Sequence, residues 1–445
     1  MRDIALVTAF LVVLALALRH PAWGALSWAG FGILNPHRHT WGFAYSLPYA
    51  NGIFLFTLLG ALLSREPKQL KGGAATGVYL VFVAYIAFTT LFALFPNNAL
   101  PMLDKVVKVH LGTLLVLLLL YRKEHVIALV WVVAGSIGFY AIKGGVFTLT
   151  TLGQFRVWGP AGSFIMDNNA MALAAVVSIP LWAYLYTQYS SRPWVKAGIL
   201  CAIVLTAVSA LGSHSRGAVV AIVAMAGFLW LKSRNKVATG ILLAILAALL
   251  VGFMPEAWEA RVATIMNPRD DASANGRLVT WEVLWELAKD RPLVGGGFQP
   301  YDISIVKKYA PHYDTVHSAH SIYFQVLGEN GFVALFLFLL FWGLVWRMCS
   351  QVAAMTRGRN EDHWAYWLAQ MTKVSLVAFL VGGAFLNLAH WDLPYYLFAG
   401  IAVTRFVLVR QRTVSQGDTR IPAAAGEPAL TITTNRAART YVNSA

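Results

Sequence analysis

Long apolar runs separated by short polar intervals fill most of the chain. A helix that crosses a lipid bilayer needs about 20 mostly apolar residues. A weaker run at 21–34 is too short, and too rich in glycine and tryptophan, to count as a span. The pattern predicts an all-α polytopic integral membrane protein with about 12 transmembrane helices. The predicted spans are 3–19, 48–64, 75–95, 103–121, 124–143, 168–187, 195–212, 216–231, 237–254, 319–346, 367–389 and 393–410.

Lysine and arginine are unevenly distributed over the loops between these spans. Alternate loops carry clusters of them, and the intervening short loops are nearly bare. Since cytoplasmic loops carry the excess of positive charge, we expect the clusters inside the cell, together with both termini. Residues 21–47 then do not cross, and lie along the outer surface or re-enter. The clusters lie near 65–71, 122–123, 192–196, 232–236, 347–359 and 410–412.

The longest polar interval, 255–318, falls on the outer, extracytoplasmic side in this topology. Apolar positions recur within it at helical spacing from Leu278 to Ala288, which predicts an amphipathic helix lying on the membrane surface. Asn275 suits its N-cap, and Pro292 stops it. The chain therefore divides into transmembrane helices at 1–254, this periplasmic loop, transmembrane helices at 319–410, and a polar, disordered cytoplasmic tail at 411–445.

Composition supports the membrane assignment. The chain is 58% hydrophobic and 12% charged, whereas soluble domains carry about 25% charged residues. The net charge of +15 is explained by the cytoplasmic loops, so we expect membrane lipids and no nucleic acid as partners. The two cysteines, Cys201 and Cys349, fall in or beside separate apolar runs, and we expect no disulfide and no zinc site.

Two arginines are candidates for binding an anion on the outer side. Arg277 falls near the start of the amphipathic helix, where the helix dipole disfavours a cation by about 0.3–1 kcal/mol. Arg216 stands where one span ends outside and the next begins. A guanidinium matches phosphate oxygens with two parallel hydrogen bonds, so the pair suits a diphosphate. The alternatives are a solvated or acid-paired Arg277 and an interfacial anchor at Arg216.

Histidines provide candidates for proton transfer. His320 stands at the outer end of a predicted span, titrates near neutral pH and is suited to accept a proton from a sugar hydroxyl, and His317 precedes it by one turn. Glu329 lies farther along the same span, where an acid is costly and is a functional candidate by default. A structural partner for a buried group is the alternative for Glu329.

A second outer loop contains Arg156 and the cluster Asp167, Asn168 and Asn169, just before a span. The cluster suits a helix cap, and the alternative is contact with a glycan or support of the site. The three histidines at 312, 317 and 320 lack the spacing of common metal motifs. We therefore expect no metal and no cofactor.

The order of these motifs resembles that of the O-antigen ligase and O-antigen polymerase superfamily. Ser215-Arg216-Gly217 opens a span, and an arginine with Trp281 begins the helix of the large outer loop. A Pro-Leu-Val-Gly-x-Gly element follows at 292–297, and Ala319-His320-Ser321 opens the next span, with Glu329 and Gly331 after it. The segment 35–45 resembles a subgroup of O-glycosylation ligases associated with exosortase A.

The resemblance covers roughly residues 1–410. It implies a GT-C-like membrane glycosyltransferase in the bacterial inner membrane, with its active site facing the periplasm. The donor would be a glycan on undecaprenyl diphosphate, and the acceptor a hydroxyl of a glycan, lipid or protein. The family's two essential arginines correspond to Arg216 and Arg277, and its histidine to His320. The implied transfer is inverting and independent of metal.

Three other functions stay open at this point. An O-antigen or exopolysaccharide polymerase would use the same chemistry with a glycan acceptor. A transporter or flippase for lipid-linked oligosaccharides would need ionisable residues near mid-membrane and internal repeats, and the chain has no evident repeat. A structural protein of a secretion system would be indifferent to substitution of the outer arginines and histidines.

Overall fold

A computed structural model describes residues 1–189, 191–256, 258 and 272–415. Over those residues the chain is helical, with short 3-10 turns between the longer helices. The α-helices are α1 (Arg2–Arg19), α2 (Pro21–Leu34), α3 (Tyr49–Leu63), α4 (Ala74–Thr89), α5 (Pro96–Leu119), α6 (Lys123–Thr150), α7 (Asn168–Gln188), α8 (Pro193–Gly212), α9 (Arg216–Lys232), α10 (Lys236–Gly252), α11 (Ala272–Asp290), α12 (Ile303–Tyr309), α13 (Ile322–Thr356), α14 (His363–Gly382) and α15 (Asp392–Ser415).

The chain is a polytopic membrane protein, as its apolar pattern predicts. Each predicted span coincides with a helix, and 7 helices in the described ranges are long and apolar enough to cross a membrane. α3 and α10 are apolar but shorter, so the number twelve stays a prediction. The 7 spans are Ala74–Phe92, Lys123–Thr150, Asn168–Gln188, Pro193–Gly212, Ile322–Thr356, His363–Phe385 and Asp392–Thr413.

The first helices correct the predicted topology. α1 and α3 run parallel, because the Phe10 ring packs against Gly52 near the start of α3, and Ala17 packs against Gly60 near its end. At the other end, Asp3 Oδ1 accepts hydrogen bonds of 3.1 Å from the N–H groups of Gly42 and Ala44, just before α3. The prediction that α1 and the span at 48–64 cross in opposite directions is therefore wrong.

α2 returns between α1 and α3, antiparallel to both. Gly24 near its start faces Thr57, and Trp28 packs on Phe54, with ring centroids 5.4 Å apart. The prediction that residues 21–47 do not cross, and lie along the outer surface or re-enter, is therefore also wrong. At about 1.5 Å per residue, a 14-residue helix is shorter than the lipid core of about 30 Å. Most of α2 is buried among other helices, so its length need not match the lipid.

Contacts between loops separate the two ends of the helix bundle. Lys71 Nζ donates to the Leu118 carbonyl at 2.8 Å, and Arg412 Nη2 donates to the Met355 carbonyl at 2.6 Å. Lys71 and Arg412 belong to basic clusters, and Leu118 and Met355 lie beside or within two others. Lys71 Nζ also lies over the Phe406 ring of α15 at 5.2 Å, so these four clusters meet at one end of the bundle. The N-terminus of α1 lies at the opposite end, because residues 35–46 connect it to the loop at Gly162. The start of α1 and the end of α15 at Ser415 are thus at opposite ends, which corrects the prediction that the first span begins and the last span ends on the same side.

The predicted domain boundaries shift by a few residues in the structure. α10 ends at Gly252 and α13 begins at Ile322, and the interval between them contains α11 and α12. α15 continues to Ser415, five residues into the predicted tail. Residues 416–445 lie outside the described residues, as do 257 and 259–271 of the outer loop. The predicted disorder of the tail and the periplasmic position of the loop stay predictions.

Candidate functional site

α11, in the interval between α10 and α13, is the element that presents Arg277. It begins at Ala272, earlier than the predicted cap at Asn275, so Arg277 lies in the second turn and not in the first. The helix ends at Asp290, before Pro292, as the sequence predicts. The helix dipole therefore does not disfavour Arg277, since its effect is confined to the first turn.

The apolar face of α11 packs on the protein as well as facing outward. Leu284 and Leu287 are buried against Ala319 and its neighbours. Trp281 donates from Nε1 to the Ala319 carbonyl at 2.7 Å and stacks on Phe324 at 5.0 Å. Two other residues of the predicted face, Leu278 and Trp285, remain exposed. The prediction that the helix lies on the membrane surface by this face is thus wrong for Trp281 and Leu284, which fix α11 to the start of α13, and stays a prediction for Leu278 and Trp285.

Arg216 is the first residue of α9, in a turn that is held from three directions. Ser215 caps the helix by accepting from the Ala218 N–H at 3.2 Å. His214 has a positive φ of 57°, and its Nε2 lies 2.8 Å from the Gly153 carbonyl. Asn168 on α7 donates to the Ser213 carbonyl at 2.7 Å. This turn therefore has a fixed position relative to α7.

Arg216 and Arg277 line the same small cavity, although 61 positions separate them in the sequence. Asn169 at the start of α7 and the α9 N-terminus complete its polar side. Two guanidinium groups and the positive end of a helix dipole make a site for an anion. The wall opposite is apolar, with Phe385 and Leu386.

His320 does not line this cavity but lies close enough to Arg277 to feel its charge, and it has an unusual backbone and a shifted pKa. Its φ is +43°, in the left-handed region that a non-glycine residue adopts uncommonly and that often marks a functional site. Burial, and then the positive charge of Arg277, lower the pKa of the imidazole to about 4, while Asp167 acts in the opposite direction. His320 is therefore neutral at pH 7, the form that accepts a proton.

The other two histidines of the loop are exposed. His317 packs its ring against Gly276, where an added Cβ would lie 3.0 Å from His317 Nε2. His312 is exposed as well. Of the two predicted proton acceptors, His320 is the one partly buried beside Arg277, and His317 lies at its solvent side.

The Asp-Asn-Asn cluster divides into separate roles. Asp167 caps α7 by accepting from the N–H groups of Asn169 and Ala170 at 2.9 and 3.0 Å, which confirms the interpretation as a cap. Asn168 is buried and tethers the Arg216 turn, and Asn169 lines the arginine cavity. Arg156 is exposed and does not line that cavity, so the structure does not bring it to the other candidates.

Glu329 is fully buried and does not line the arginine cavity. Its Oε1 accepts from the Gln299 N–H and the Tyr301 hydroxyl, both at 3.3 Å. Its Oε2 lies 3.5 Å from Gln325 Nε2 and 3.7 Å from His390 Nε2. Of the two predicted interpretations of Glu329, these contacts favour a structural partner of buried groups.

The glycine element at 292–297 packs into a break in α13. Gly331 has φ +82° and interrupts the helix. The N–H groups of Gly296 and Gly297 donate to the Gly328 and Glu329 carbonyls, each at 2.8 Å. At Gly295, an added Cβ would lie 2.7 Å from the Asn330 nitrogen. The glycines of the sequence motif are therefore needed for close backbone approach.

A second, larger cavity escaped the sequence analysis. It lies at the same end of the bundle, between α2, α5, α15 and the loop at 162–165, and encloses about 360 Å³. Polar side chains within apolar segments, such as Asp392 and Asn387, were the available signal. In the part of the chain that the structure describes, no three His, Cys, Asp or Glu side chains are grouped to hold a metal ion, and a metal-independent reaction stays a prediction.

Comparison with known families gives two matches. Residues 201–339 match the family model of the O-antigen ligases. Residues 1–190 match a family of unknown function (DUF5935). No curated protein matches the chain significantly. The first match contains Arg216, Arg277 and His320, and it confirms the predicted resemblance to the O-antigen ligase superfamily. Membership of the subgroup associated with exosortase A stays a prediction.

Proposed function

We propose that this chain, a member of the O-antigen ligase superfamily through residues 201–339, transfers a glycan from undecaprenyl diphosphate to an acceptor hydroxyl. The family match and the membrane helices make it a membrane enzyme of the O-antigen ligase type. The proposal adds the donor, an inner-membrane location, a periplasmic site and inversion at the anomeric carbon.

The convergence of Arg216 and Arg277 on one cavity carries the proposal. When the glycosyl bond breaks, its electron pair leaves with the diphosphate, and negative charge grows on the leaving oxygen. Fixed cations near that oxygen stabilise the transition state more than the ground state. Arg216 is placed by a capped helix start and Arg277 by a helix bonded to the α13 N-terminus, so neither needs to be reorganised during the reaction.

His320 accepts the proton in the proposed reaction. The acceptor oxygen forms a bond to the anomeric carbon, the bond from that carbon to the diphosphate oxygen breaks, and the hydroxyl proton passes to the imidazole. In the free enzyme the pKa of His320 is lowered to about 4, first by burial and then by the charge of Arg277. An anionic diphosphate on Arg277 would offset the second cause and raise the pKa, which makes His320 a stronger base when the donor is bound.

A polymerase with a glycan acceptor remains the alternative within the same chemistry. A transporter finds less support in the contacts of Glu329. This intramembrane acid binds the loop at 299–301 and neighbouring side chains, which is a structural arrangement.

Lysine substitutions test the proposed diphosphate site. Arg216→Lys and Arg277→Lys keep the charge but lose the two parallel hydrogen bonds, and we expect each to lower glycan transfer at least tenfold. The measurement is transfer by purified protein from a polyprenyl-diphosphate-linked glycan to an acceptor glycan. Arg359→Lys is the matched control, because this exposed arginine lies at the opposite end of the bundle. Transfer at the control rate by both variants would remove the diphosphate site from the proposal.

A further inference from the structure

We propose that the 360 Å³ cavity between α2, α5 and α15 binds an uncharged sugar ring of the glycan that this enzyme transfers or extends. The inference rests on the proposed function and adds a saccharide site to it. The volume lies within the range of about 300–1,000 Å³ that is typical of small-molecule pockets.

The walls of the cavity combine aromatic surfaces with amide groups. Trp28 on α2 and Trp391 and Tyr396 at the start of α15 are almost completely buried and contribute ring surface. The side chains of Asn35, Gln299, Gln325 and Asn387 contribute amides, each with both donors and an acceptor. A pyranose has apolar C–H faces and a rim of hydroxyl groups, so it needs both kinds of wall. A lipid tail would leave the buried Asn387 Oδ1, which has no hydrogen-bond partner among the described residues, still unpaired, which is costly.

Two polar groups in the cavity favour a ligand with hydroxyl donors. Asn387 Oδ1 is buried and has no hydrogen-bond partner among the described residues. Asp392, only 8% exposed, also lines the cavity, and its Oδ2 faces Gly32. Carboxylate and carbonyl oxygens accept hydrogen bonds, and buried acceptors are normally satisfied. A sugar hydroxyl supplies the donor that Asn387 Oδ1 lacks, and a second hydroxyl can donate to the Asp392 carboxylate as well.

The distribution of charge argues against an acidic sugar in the interior. The two lysines of the lining belong to the rim: Lys105 is exposed, and Lys108 pairs with Asp104 at 2.5 Å. Apart from these two solvent-facing lysines, the lining contains no lysine or arginine, and it contains the carboxyl group of Asp392. A second carboxylate there would be repelled, so we assign the site to an uncharged ring.

Neighbouring residues of one chain segment line the two cavities. Leu386 lines the arginine cavity, and the next residue, Asn387, lines the larger one. In the same way, Ile165 lines the larger cavity and Asn169 lines the arginine cavity. Gln325 of the larger cavity lies one turn after the α13 N-terminus that follows His320. A glycan whose reacting end is at the arginines and His320 therefore has its next rings within reach of the larger cavity.

Glu329 acts as a positioning residue for this cavity. It holds the Gln299 backbone at 3.3 Å and the Gln325 amide at 3.5 Å, and both glutamines line the cavity. Glu329→Gln keeps the size of the side chain but replaces one acceptor oxygen with a donor group. We expect this variant to weaken saccharide binding while the fold is retained.

Saturation-transfer NMR with the purified full-length protein tests the inference. The probes are methyl glycosides of glucose, galactose and N-acetylglucosamine, with glucuronate as the charged comparison. We expect saturation transfer from the wild-type protein to at least one uncharged glycoside. In Asn387→Leu and in the near-isosteric Asp392→Asn, we expect that glycoside to bind about tenfold more weakly or worse, at unchanged Tm. The inference would be overturned by any of three results: no saturation transfer to any of the three glycosides, tighter binding of glucuronate than of the glycosides, or binding by both variants that equals that of the wild type.

Kinetics distinguish the source of the sugar and separate this inference from the proposed function. In a transfer assay, the Asp392→Asn variant should raise KM for either the donor or the acceptor about tenfold and leave kcat within about twofold. The substrate whose KM changes is the one that carries the bound ring. Arg277→Lys should keep glycoside binding, since Arg277 does not line the cavity. If glycosides bind but the arginine variants transfer normally, the diphosphate site fails and the saccharide site stands; the reverse result removes only the saccharide site.

Discussion

Replacing His320 with asparagine tests the proposed base. The residue has a φ of +43°, and asparagine is among the side chains that tolerate this backbone region. His320→Asn therefore removes the imidazole and preserves the connection to α13. Loss of a general base lowers rates about 10²–10⁴-fold, which equals about 3–5 kcal/mol of transition-state stabilisation. We expect kcat for glycan transfer to fall by this factor, with donor binding retained because Arg216 and Arg277 are unchanged.

The structure also predicts the pH dependence of the wild-type enzyme. The pKa of His320 is lowered to about 4 by burial and by Arg277. At pH 5.5 such an imidazole is only about 3% protonated, whereas one with the ordinary pKa of about 6.5 is about 90% protonated. Since only the neutral form accepts a proton, kcat/KM should stay within about twofold between pH 7.5 and 5.5. It should then fall as the pH approaches 4.

The assay uses purified variants, a lipid-diphosphate-linked glycan and an acceptor glycan, with product separated by chromatography. His317→Asn is the matched control, because this histidine is exposed, and its rate should change by less than about threefold. Wild-type transfer by His320→Asn would refute the role of His320 as the base. A tenfold fall of kcat/KM near pH 6 in the wild type would show that a group with an ordinary histidine pKa controls the rate instead.

Two further predictions concern the fold. In a Cys201→Ser background, cysteines introduced at Arg2 and Asn275 should react with an impermeant maleimide added on one side of the membrane. A cysteine introduced at Asn360 should react only when the maleimide is added on the other side. Labelling of Arg2→Cys and Asn360→Cys from the same side would contradict the parallel arrangement of α1 and α3. Gly295→Ala should lower Tm, with a cost of about 1–3 kcal/mol, because φ is +58° and the Cβ would meet backbone at 2.7 Å. Gly135→Ala, which has open space around it, should leave Tm unchanged or raise it, and equal Tm values for the two would argue against the close approach.

The apolar pattern was sufficient to predict where helices form, because a span is a property of its own sequence. It was insufficient for α2, whose 14 residues pack by close approach of small residues such as Gly24. The distribution of lysine and arginine then predicted the wrong direction for α1, because missing one crossing at α2 inverts the predicted orientation of the helix that precedes it. Contacts such as Phe10 with Gly52 depend on the folded arrangement and carry no signal in the linear sequence.

The candidate site shows the same division. The sequence predicted that Arg216 and Arg277 would lie on one face, and the structure brings them to one cavity. It did not predict the larger cavity, because its lining comes from α2, α5, α15 and two loops, and no single segment carries a recognisable motif. The role of Asp167 as a cap was predictable, since capping needs only local spacing.

The break of α13 at Gly331 has a mechanical consequence. Where the helix is interrupted, the N–H groups of Gly296 and Gly297 bind carbonyls of α13, and the Phe332 N–H donates to the Pro292 carbonyl at 2.9 Å. Backbone hydrogen bonds in both directions thus join the glycine element at 292–297 to the transmembrane helix. Amide hydrogens on both sides of the junction should exchange with solvent at one common rate, because neither side can open alone. Any movement that admits a substrate must therefore take the glycine element at 292–297 and the part of α13 before Gly331 as one body.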